Sequence, residues 1–228
     1  MPEALEASVG IGVIHLFCTV GEGTDRAAIE VAVKAAQADD LQVVPVAVLG
    51  HKADVAFMVL GKDWWKLKSF QTALSVAGLT IIDSYVSMTE LSEYAKGLPE
   101  QMAKARLYPE LPPEGMSAWC FYPMSKKRER KANWFTLPFD ERKELMMEHG
   151  ASGRKFAGRI VQLITGSAGV DDYEWGVTLF AQKPDDLKEV VYTMRFDEAS
   201  AKYADFGPFI TGAIGTLAEV LDAAGVPD

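Results

Sequence analysis

The same order of strands and helices appears twice along the chain, and this repeat constrains the fold more than any other feature of the sequence. In the first half, apolar runs rich in β-branched residues predict four strands, and amphipathic runs predict two helices. Thr24 or Asp25 is typical of the N-cap of the first helix, Asp63 of the N-cap of the second, and Gly78 of a helix end. The predicted elements are Val9–Val20, RAAIEVAVKAAQ, QVVPVAVLG, DVAFMVLG, WWKLKSFQTALSVAG and LTIIDSYVSMTEL.

The second half repeats this order after residues 99–115, whose glycine- and proline-rich surroundings are typical of a linker. The elements predicted there are SAWCFYPM, ERKELMMEHG, GRIVQLITG, YEWGVTLFAQ, DLKEVVYTMRF, FGPFITG and LAEVLDAAG. Each half therefore has the β-α-β-β-α-β order of a ferredoxin-like unit. We predict an α+β fold of tandem ferredoxin-like repeats, forming a dimeric-α/β-barrel-like unit with the helices outside. The predicted domains are an N-terminal half at 1–98 and a C-terminal half at 116–228 that carries the functional site.

Composition and motifs disfavour several classes of function. The net charge of −9 and the pI of about 4.9 argue against nucleic acid as a partner, and no apolar run is long enough to insert into a membrane. The acidic start argues against a signal peptide, and Cys18 and Cys120 lie in apolar runs, so we expect a soluble cytoplasmic protein. The sequence contains no Walker loop, H-E-x-x-H or G-x-S-x-G motif that would support a nucleotide enzyme, a zinc protease or a serine hydrolase.

Two polar residues break the apolar pattern of the second half. His149 ends the predicted helix before Gly150, a typical C-cap, so taken alone it is interpreted as an imidazolium stabilised by a helix C-terminus. The alternative is a haem-iron ligand, because a single histidine commonly holds haem iron from one side. Gln162 shares a strand face with Ile160 and Ile164, where it either makes an inter-sheet hydrogen bond or projects into an apolar cavity.

A further group lies where the strand SAWCFYPM meets a basic run. Tyr122 and Met124 share one face of that strand, and Lys126 continues the face if the strand stays extended. These residues are either part of a core or the wall of a pocket. Together with Arg195 and Ser200, the Lys126 ammonium would suit a carboxylate ligand. The spacing alone leaves open whether these groups converge.

Several longer segments carry a resemblance to a known family. They are YPMSKKR, NWF, EHGASGRKFAGRIVQLITGS, DDYEWGVTLF and MRFDEASAKYADFG, with SYVSMTELSEY in the first half. These segments resemble the coproheme decarboxylases of the Firmicutes-like type, in the chlorite-dismutase-like haem superfamily. The resemblance covers nearly the whole chain and is most specific from Cys120 to Gly207. It implies a tandem ferredoxin-like fold, in agreement with the repeat, and a homo-oligomer, usually a pentamer.

The resemblance also implies roles for individual residues. His149 matches the iron ligand, Tyr122 the tyrosine that becomes a radical, and Gln162 the distal position that holds arginine in chlorite dismutases. Met124 matches a pocket residue beside the tyrosine. Glu198 corresponds to the glutamate behind the proximal histidine in chlorite dismutases, and whether it bonds to His149 is left open. The positions that match propionate-binding groups are Lys126, Arg195, Ser200, Tyr85 and Arg106.

The reaction implied by the resemblance is the hydrogen peroxide-dependent oxidative decarboxylation of two propionates of iron coproporphyrin III (coproheme) to vinyls, which gives haem b. Coproheme is then both substrate and redox cofactor, and Tyr122 and Lys126 are the catalytic residues. Lys126 either pairs with the reacting carboxylate or accepts the phenolic proton. Transient contact with the coproporphyrin ferrochelatase is also implied. The alternatives are a non-catalytic haem-binding or haem-delivery protein, a chlorite dismutase-like enzyme, and a haem-free tandem ferredoxin-like protein.

Overall fold

A computed structural model describes residues 2–95 and 97–227, and its first half contains the predicted elements in the predicted order. They are β1 (Gly12–Thr19), α1 (Arg26–Ala38), β2 (Gln42–Leu49), β3 (Val55–Gly61), α2 (Trp64–Val76) and β4 (Thr80–Thr89). The side chain of Asp25 accepts a hydrogen bond from the Ala28 N–H, and that of Asp63 from the Trp65 N–H. Both helices therefore begin where an aspartate satisfies a backbone donor that the helix leaves unpaired.

The second half follows a helix, α3 (Glu100–Leu107), that lies within the predicted linker. The predicted linker at residues 99–115 included no helix, but the structure has this one, and it is anchored because Leu107 is buried and its carbonyl accepts a hydrogen bond of 2.7 Å from the Thr89 hydroxyl. The remaining elements are β5 (Ala118–Lys126), β6 (Arg128–Glu129), β7 (Ala132–Asn133), α4 (Phe139–Arg154), β8 (Ile160–Gly166), β9 (Trp175–Ala181), α5 (Pro184–Met194), α6 (Glu198–Ala201), β10 (Ala204–Phe206), β11 (Ile210–Ile214) and α7 (Leu217–Ala223).

The strands of the two halves close into one barrel. The pairing order β5-β11-β2-β3-β1-β4-β8-β9 returns to β5, with β11–β2 and β4–β8 as the joints between the halves. Phe17, Trp119, Phe121 and Phe180 pack inside the barrel. Because side chains alternate along a strand, the neighbouring residues face outward and pack against the helices. The predicted tandem α+β barrel-like unit is therefore confirmed, and no described helix is both long and apolar enough to span a membrane.

The barrel interior also encloses a histidine. His15 is 1% exposed, its Nε2 lies 3.0 Å from the Thr178 hydroxyl, and its ring stacks on Phe121 at 4.1 Å. Its Nδ1 has no hydrogen-bond partner among the described residues. Burial lowers the pKa of His15 to about 3, so the ring is neutral near pH 7.

Helix α4 is longer than the sequence predicts, and this changes the position of His149. The prediction that Gly150 ends the helix is wrong, because α4 continues to Arg154. The backbone adopts a positive φ, of 81°, only at Gly158, after the helix has ended. His149 is therefore followed by a further turn of helix. The interpretation of His149 as an imidazolium stabilised by the helix C-terminus loses its basis.

Candidate functional site

The imidazole of His149 is anchored from behind through one of its two nitrogens. Nδ1 lies 3.0 Å from Oδ2 of Asp197 and 3.3 Å from the hydroxyl oxygen of Ser200. Asp197 is the N-cap of α6, and its Oδ1 accepts the Ser200 N–H at 2.9 Å. Because Nδ1 is engaged in this way, Nε2 is the nitrogen left to bind a metal, as in metal sites where a carboxylate orients a histidine ligand.

The carboxylate behind His149 is Asp197 and not its neighbour. The sequence left open whether Glu198 bonds to His149, and in the structure it does not, because that side chain is exposed and its Oε1 lies 3.2 Å from Nζ of Lys202. Asp197 is almost fully buried, and burial raises the pKa of its carboxyl. The hydrogen bond and charge of His149 and the bonds from Ser200 outweigh burial, so the pKa lies below its usual value. Sequence reasoning missed Asp197, although an aspartate three residues before Ser200 is a typical N-cap signal.

Tyr122 lies on the outer face of β5 in an aromatic environment. Its ring stacks on Phe209 at 4.3 Å between centroids and meets Phe206 edge-on at 5.8 Å. The side chain is 6% exposed, and burial raises the pKa of the phenol well above its usual value, with a smaller rise from Cys120 and a lowering by Arg195. The phenol therefore stays protonated near pH 7.

Arg195 and Met124 lie beside this tyrosine. Arg195 is the exposed C-cap of α5, and its guanidinium carbon lies 5.8 Å from the centroid of the Phe206 ring. Met124 packs against the apolar cluster that contains Tyr122. The structure thus brings a buried phenol, an apolar wall and an exposed cation together on the outer side of β5.

Lys126 shares this face of β5, but its ammonium bonds to the protein itself. Nζ donates to the Ala199 carbonyl at 2.7 Å and lies 4.4 Å from the centroid of the Trp134 ring. The residue is 8% exposed, and burial lowers the pKa of the ammonium to about 8, opposed by the charges of Asp197 and Glu174. Ser200 is similarly buried and engaged with His149.

Gln162 lies on the same outer surface, two strands from Tyr122, but it is exposed rather than buried. Leu163 faces the barrel interior, so Gln162 and Ile164 face outward, and Ile164 is 44% exposed. Gln162 pairs with Leu179 on β9, and Leu179 pairs with Cys120 on β5. This register sets Gln162 about 10 Å from β5 in the plane of the sheet. The predicted strand face is correct, and the amide of Gln162 is exposed on it.

Two predicted site residues, Tyr85 and Arg106, lie away from the outer face of β5. Tyr85 lies inside the barrel, where its hydroxyl bonds to Ser167 and its ring packs against Phe121. Burial raises the pKa of Tyr85 to about 12, although the Ser167 hydrogen bond opposes the shift. Arg106 is exposed on α3, within the linker region. The expected roles of Tyr85 and Arg106 in binding propionates therefore have no support in their positions.

The donor set and surroundings fit an iron porphyrin that carries carboxylates. An anchored histidine offers Nε2 to iron, and a partly exposed apolar sheet face with one amide suits a flat apolar ring. Arg195 provides a cation beside that face. Helix α4, which carries His149, has no fully buried residue, so it is not packed into a dry core.

The chain belongs to the chlorite dismutase family, whose model matches residues 24–215. The coproheme decarboxylase of Staphylococcus carnosus (strain TM300) is 49% identical over 179 residues, or 73% of this chain and 70% of that protein. The coproheme decarboxylase of Staphylococcus saprophyticus is 44% identical over 185 residues, or 77% of this chain and 74% of that protein. A solved heme-binding protein from Thermus thermophilus has a TM-score of 0.83 and 34% identity, over 98% of this chain and 97% of that one. The predicted resemblance is confirmed.

Proposed function

We propose that the protein is a coproheme decarboxylase that converts two propionates of iron coproporphyrin III to vinyls with hydrogen peroxide and releases haem b. The observation that carries the proposal is the anchored imidazole of His149, whose Nδ1 lies 3.0 Å from Asp197. The curated relatives named coproheme decarboxylase support the choice of substrate. The oligomeric state that the resemblance implies, a homopentamer, is part of this proposal, as are a cytoplasmic location and contact with the ferrochelatase.

Each residue of the site would contact a different part of the bound porphyrin. His149 would hold iron through Nε2 and leave the opposite side of the ring open. Gln162 would offer neutral hydrogen bonds on that open side, without the fixed charge of an arginine. Arg195, exposed beside Tyr122, would bind a propionate. The substrate carries four carboxylates, so local cations matter in a chain whose net charge is −9.

The proposed chemistry needs a residue that exchanges hydrogen atoms with the substrate. Bound coproheme supplies the oxidising equivalents when it reacts with hydrogen peroxide. Tyr122 loses an electron together with its phenolic proton, because its raised pKa keeps the phenol neutral beforehand. The tyrosyl radical then takes a hydrogen atom from the β-carbon of a propionate and becomes a phenol again. The substrate then loses a second electron, and the carbon–carbon bond to its carboxylate breaks. Carbon dioxide departs, and a vinyl group remains on the porphyrin.

The electrons and protons of these reaction steps balance. Each propionate loses carbon dioxide, two electrons and one proton. One hydrogen peroxide takes up two electrons and two protons, of which one comes from solvent, and becomes two waters. Two propionates therefore consume two peroxides and pass through a porphyrin with one vinyl and three propionates.

The direct test is to add coproheme to the purified apoprotein, titrate it with hydrogen peroxide, and follow the porphyrin masses by chromatography. The proposal expects stepwise loss of two carboxyl groups. Porphyrin binding without mass loss would instead indicate a haem-binding or haem-delivery protein. Oxygen evolution from chlorite would indicate a chlorite dismutase. No Soret band on adding coproheme would indicate a haem-free protein.

A further inference from the structure

The aromatic ring that stacks on Tyr122 belongs to a loop that the proposed chemistry does not use. Residues 207–209 join β10 to β11, and both of these strands pair with β5. The Gly207 N–H donates to the carbonyl of Pro123 at 2.8 Å, which ties the loop to the residue after Tyr122. The Phe209 ring lies 4.3 Å from the Tyr122 ring between centroids, with 23° between their planes. The loop therefore places one ring face against the other.

A residue from the first half of the chain holds this loop in place. Nζ of Lys52, in the turn between β2 and β3, donates to the Phe209 carbonyl. The same ammonium lies close enough to the outer face of β5 to affect the residue two before Tyr122. Burial raises the pKa of the Cys120 thiol, and the hydrogen bond from Thr211 and the charge of Lys52 oppose that rise. The first half therefore reaches the surroundings of Tyr122.

The protein covers the ring of Tyr122 but leaves its hydroxyl open. Phe209 stacks on the ring, and Phe206 meets it edge-on at 5.8 Å. Among the described residues the Tyr122 hydroxyl has no hydrogen-bond partner, and it is not one of the unpartnered polar atoms that are sealed from solvent. The hydroxyl oxygen therefore reaches the surface. A tyrosyl radical also carries unpaired spin on the ring carbons beside the hydroxyl, so an uncovered ring would react there as well as at oxygen.

We propose that Phe209, held by Lys52, shields the ring of Tyr122, so that this tyrosine reacts through its hydroxyl oxygen and survives repeated oxidation. Phe209 and Lys52 are then positioning residues, which act through Tyr122. Without the shield, hydrogen peroxide converts a ring C–H bond of Tyr122 to C–OH and is itself reduced to one water, so that atoms and electrons balance. The shield belongs to the apoprotein, whereas its role during turnover rests on the proposed function.

The first arm of the test measures access to the ring in the full-length apoprotein. Tetranitromethane nitrates tyrosine at the ring carbons beside the hydroxyl, and peptide mass spectrometry gives the rate at each tyrosine. Tyr192, which is 61% exposed, serves as the internal reference. In the wild type we expect Tyr122 to react much more slowly than Tyr192. Phe209→Ala should raise the rate at Tyr122 relative to Tyr192 roughly tenfold, as loss of a stacked aromatic contact would.

Three further variants make this arm decisive. Phe209→Leu keeps an apolar cover without the ring and should raise the ratio by a smaller amount, which covers the case that Phe209→Ala fails to fold. Lys52→Met keeps the apolar stem, removes the donor to the loop, and should also raise the ratio. Lys68→Met makes the same change of charge at an exposed lysine of α2 and should leave it unchanged. A wild-type ratio in a folded Phe209 variant would overturn the shield, and one in Lys52→Met would overturn the role of Lys52.

The second arm follows Tyr122 itself during turnover of the coproheme-loaded protein with hydrogen peroxide. In the wild type we expect loss of two carboxyl groups from the porphyrin and an unmodified Tyr122 peptide. In Phe209→Ala the same peptide should gain one oxygen atom, and the yield of haem b per protein should fall. An unmodified Tyr122 peptide in an active Phe209→Ala variant would overturn the role in turnover. Failure of the wild type to decarboxylate coproheme would sink the proposed function, while the nitration ratios would still decide the shield.

Discussion

Asp197→Asn changes the hydrogen bond between Asp197 and His149 while it preserves the N-cap bond that Asp197 makes to α6. Asp197 accepts from Nδ1 of His149 through Oδ2 at 3.0 Å, and it caps α6 by accepting the Ser200 N–H through Oδ1 at 2.9 Å. Asparagine is a good N-cap, so the second contact survives. The first contact changes from a carboxylate to a neutral amide.

The expected loss follows from the burial of this contact. Asp197 has a side chain that is 1% exposed, and a hydrogen bond to a charged group contributes about 1.5–3 kcal/mol. Partners behind metal ligands typically change metal affinity by about 10–100-fold when they are mutated. We therefore expect haem b to bind about 10–100-fold more weakly. The iron–histidine stretching band of the ferrous complex should also move to lower frequency, because the imidazole has less anionic character.

The matched control is Glu198→Gln, which makes the same change of charge at the next residue. Glu198 is exposed and pairs with Lys202, so haem affinity and the iron–histidine band should stay at wild-type values. Porphyrin titration by absorbance and resonance Raman spectroscopy of the ferrous complex measure both quantities. Equal affinities and equal bands in the two variants would refute the role assigned to Asp197.

Three further predictions follow from the described contacts. Tyr122→Phe should bind coproheme normally and yield no decarboxylated porphyrin by mass, and full turnover would exclude the radical role. His15 has a folded pKa of about 3 and an ordinary unfolded pKa, so its protonation favours unfolding, and stability falls as pH drops below about 6.5. His15→Phe should reduce the slope of unfolding free energy between about pH 5 and 6 by up to about 1.4 kcal/mol per pH unit, measured by urea denaturation. Phe180→Ala, inside the barrel at 0% exposure, should cost about 3–5 kcal/mol by the same assay, and a loss under about 1 kcal/mol would contradict the packing.

The fold was largely predictable because its signals are local. Each strand is indicated by a short apolar run rich in β-branched residues, and each of the first two helices by an aspartate just before it. The α3 helix was missed although its residues, EQMAKARL, are strong helix formers, because the prolines around it indicated a linker. The extension of α4 was missed because Gly150 and Gly153 have weak helix preferences.

The site was predictable in its residue types and less so in its contacts. The motifs predicted His149, Tyr122 and Arg195 as site residues, and the structure adds a hydrogen-bonded anchor for His149 and a buried aromatic environment for Tyr122. Strand alternation placed Gln162 on the correct face. The exposure of Gln162 depends on which other segments cover that face, and the residues of the strand itself do not determine this.

Only the tertiary structure decided which of two neighbouring carboxylates forms the hydrogen bond with His149. Asp197 and Glu198 are adjacent and chemically alike in the sequence. The N-cap geometry of α6 turns Asp197 inward and leaves Glu198 beside Lys202 in solvent. The same holds for Lys126, whose ammonium meets a carbonyl 73 residues away in the chain. Sequence alone determined which chemical groups are available, because residue type sets charge and hydrogen-bonding capacity. Tertiary structure decided their partners, because contacts between distant segments exist only after the chain has folded.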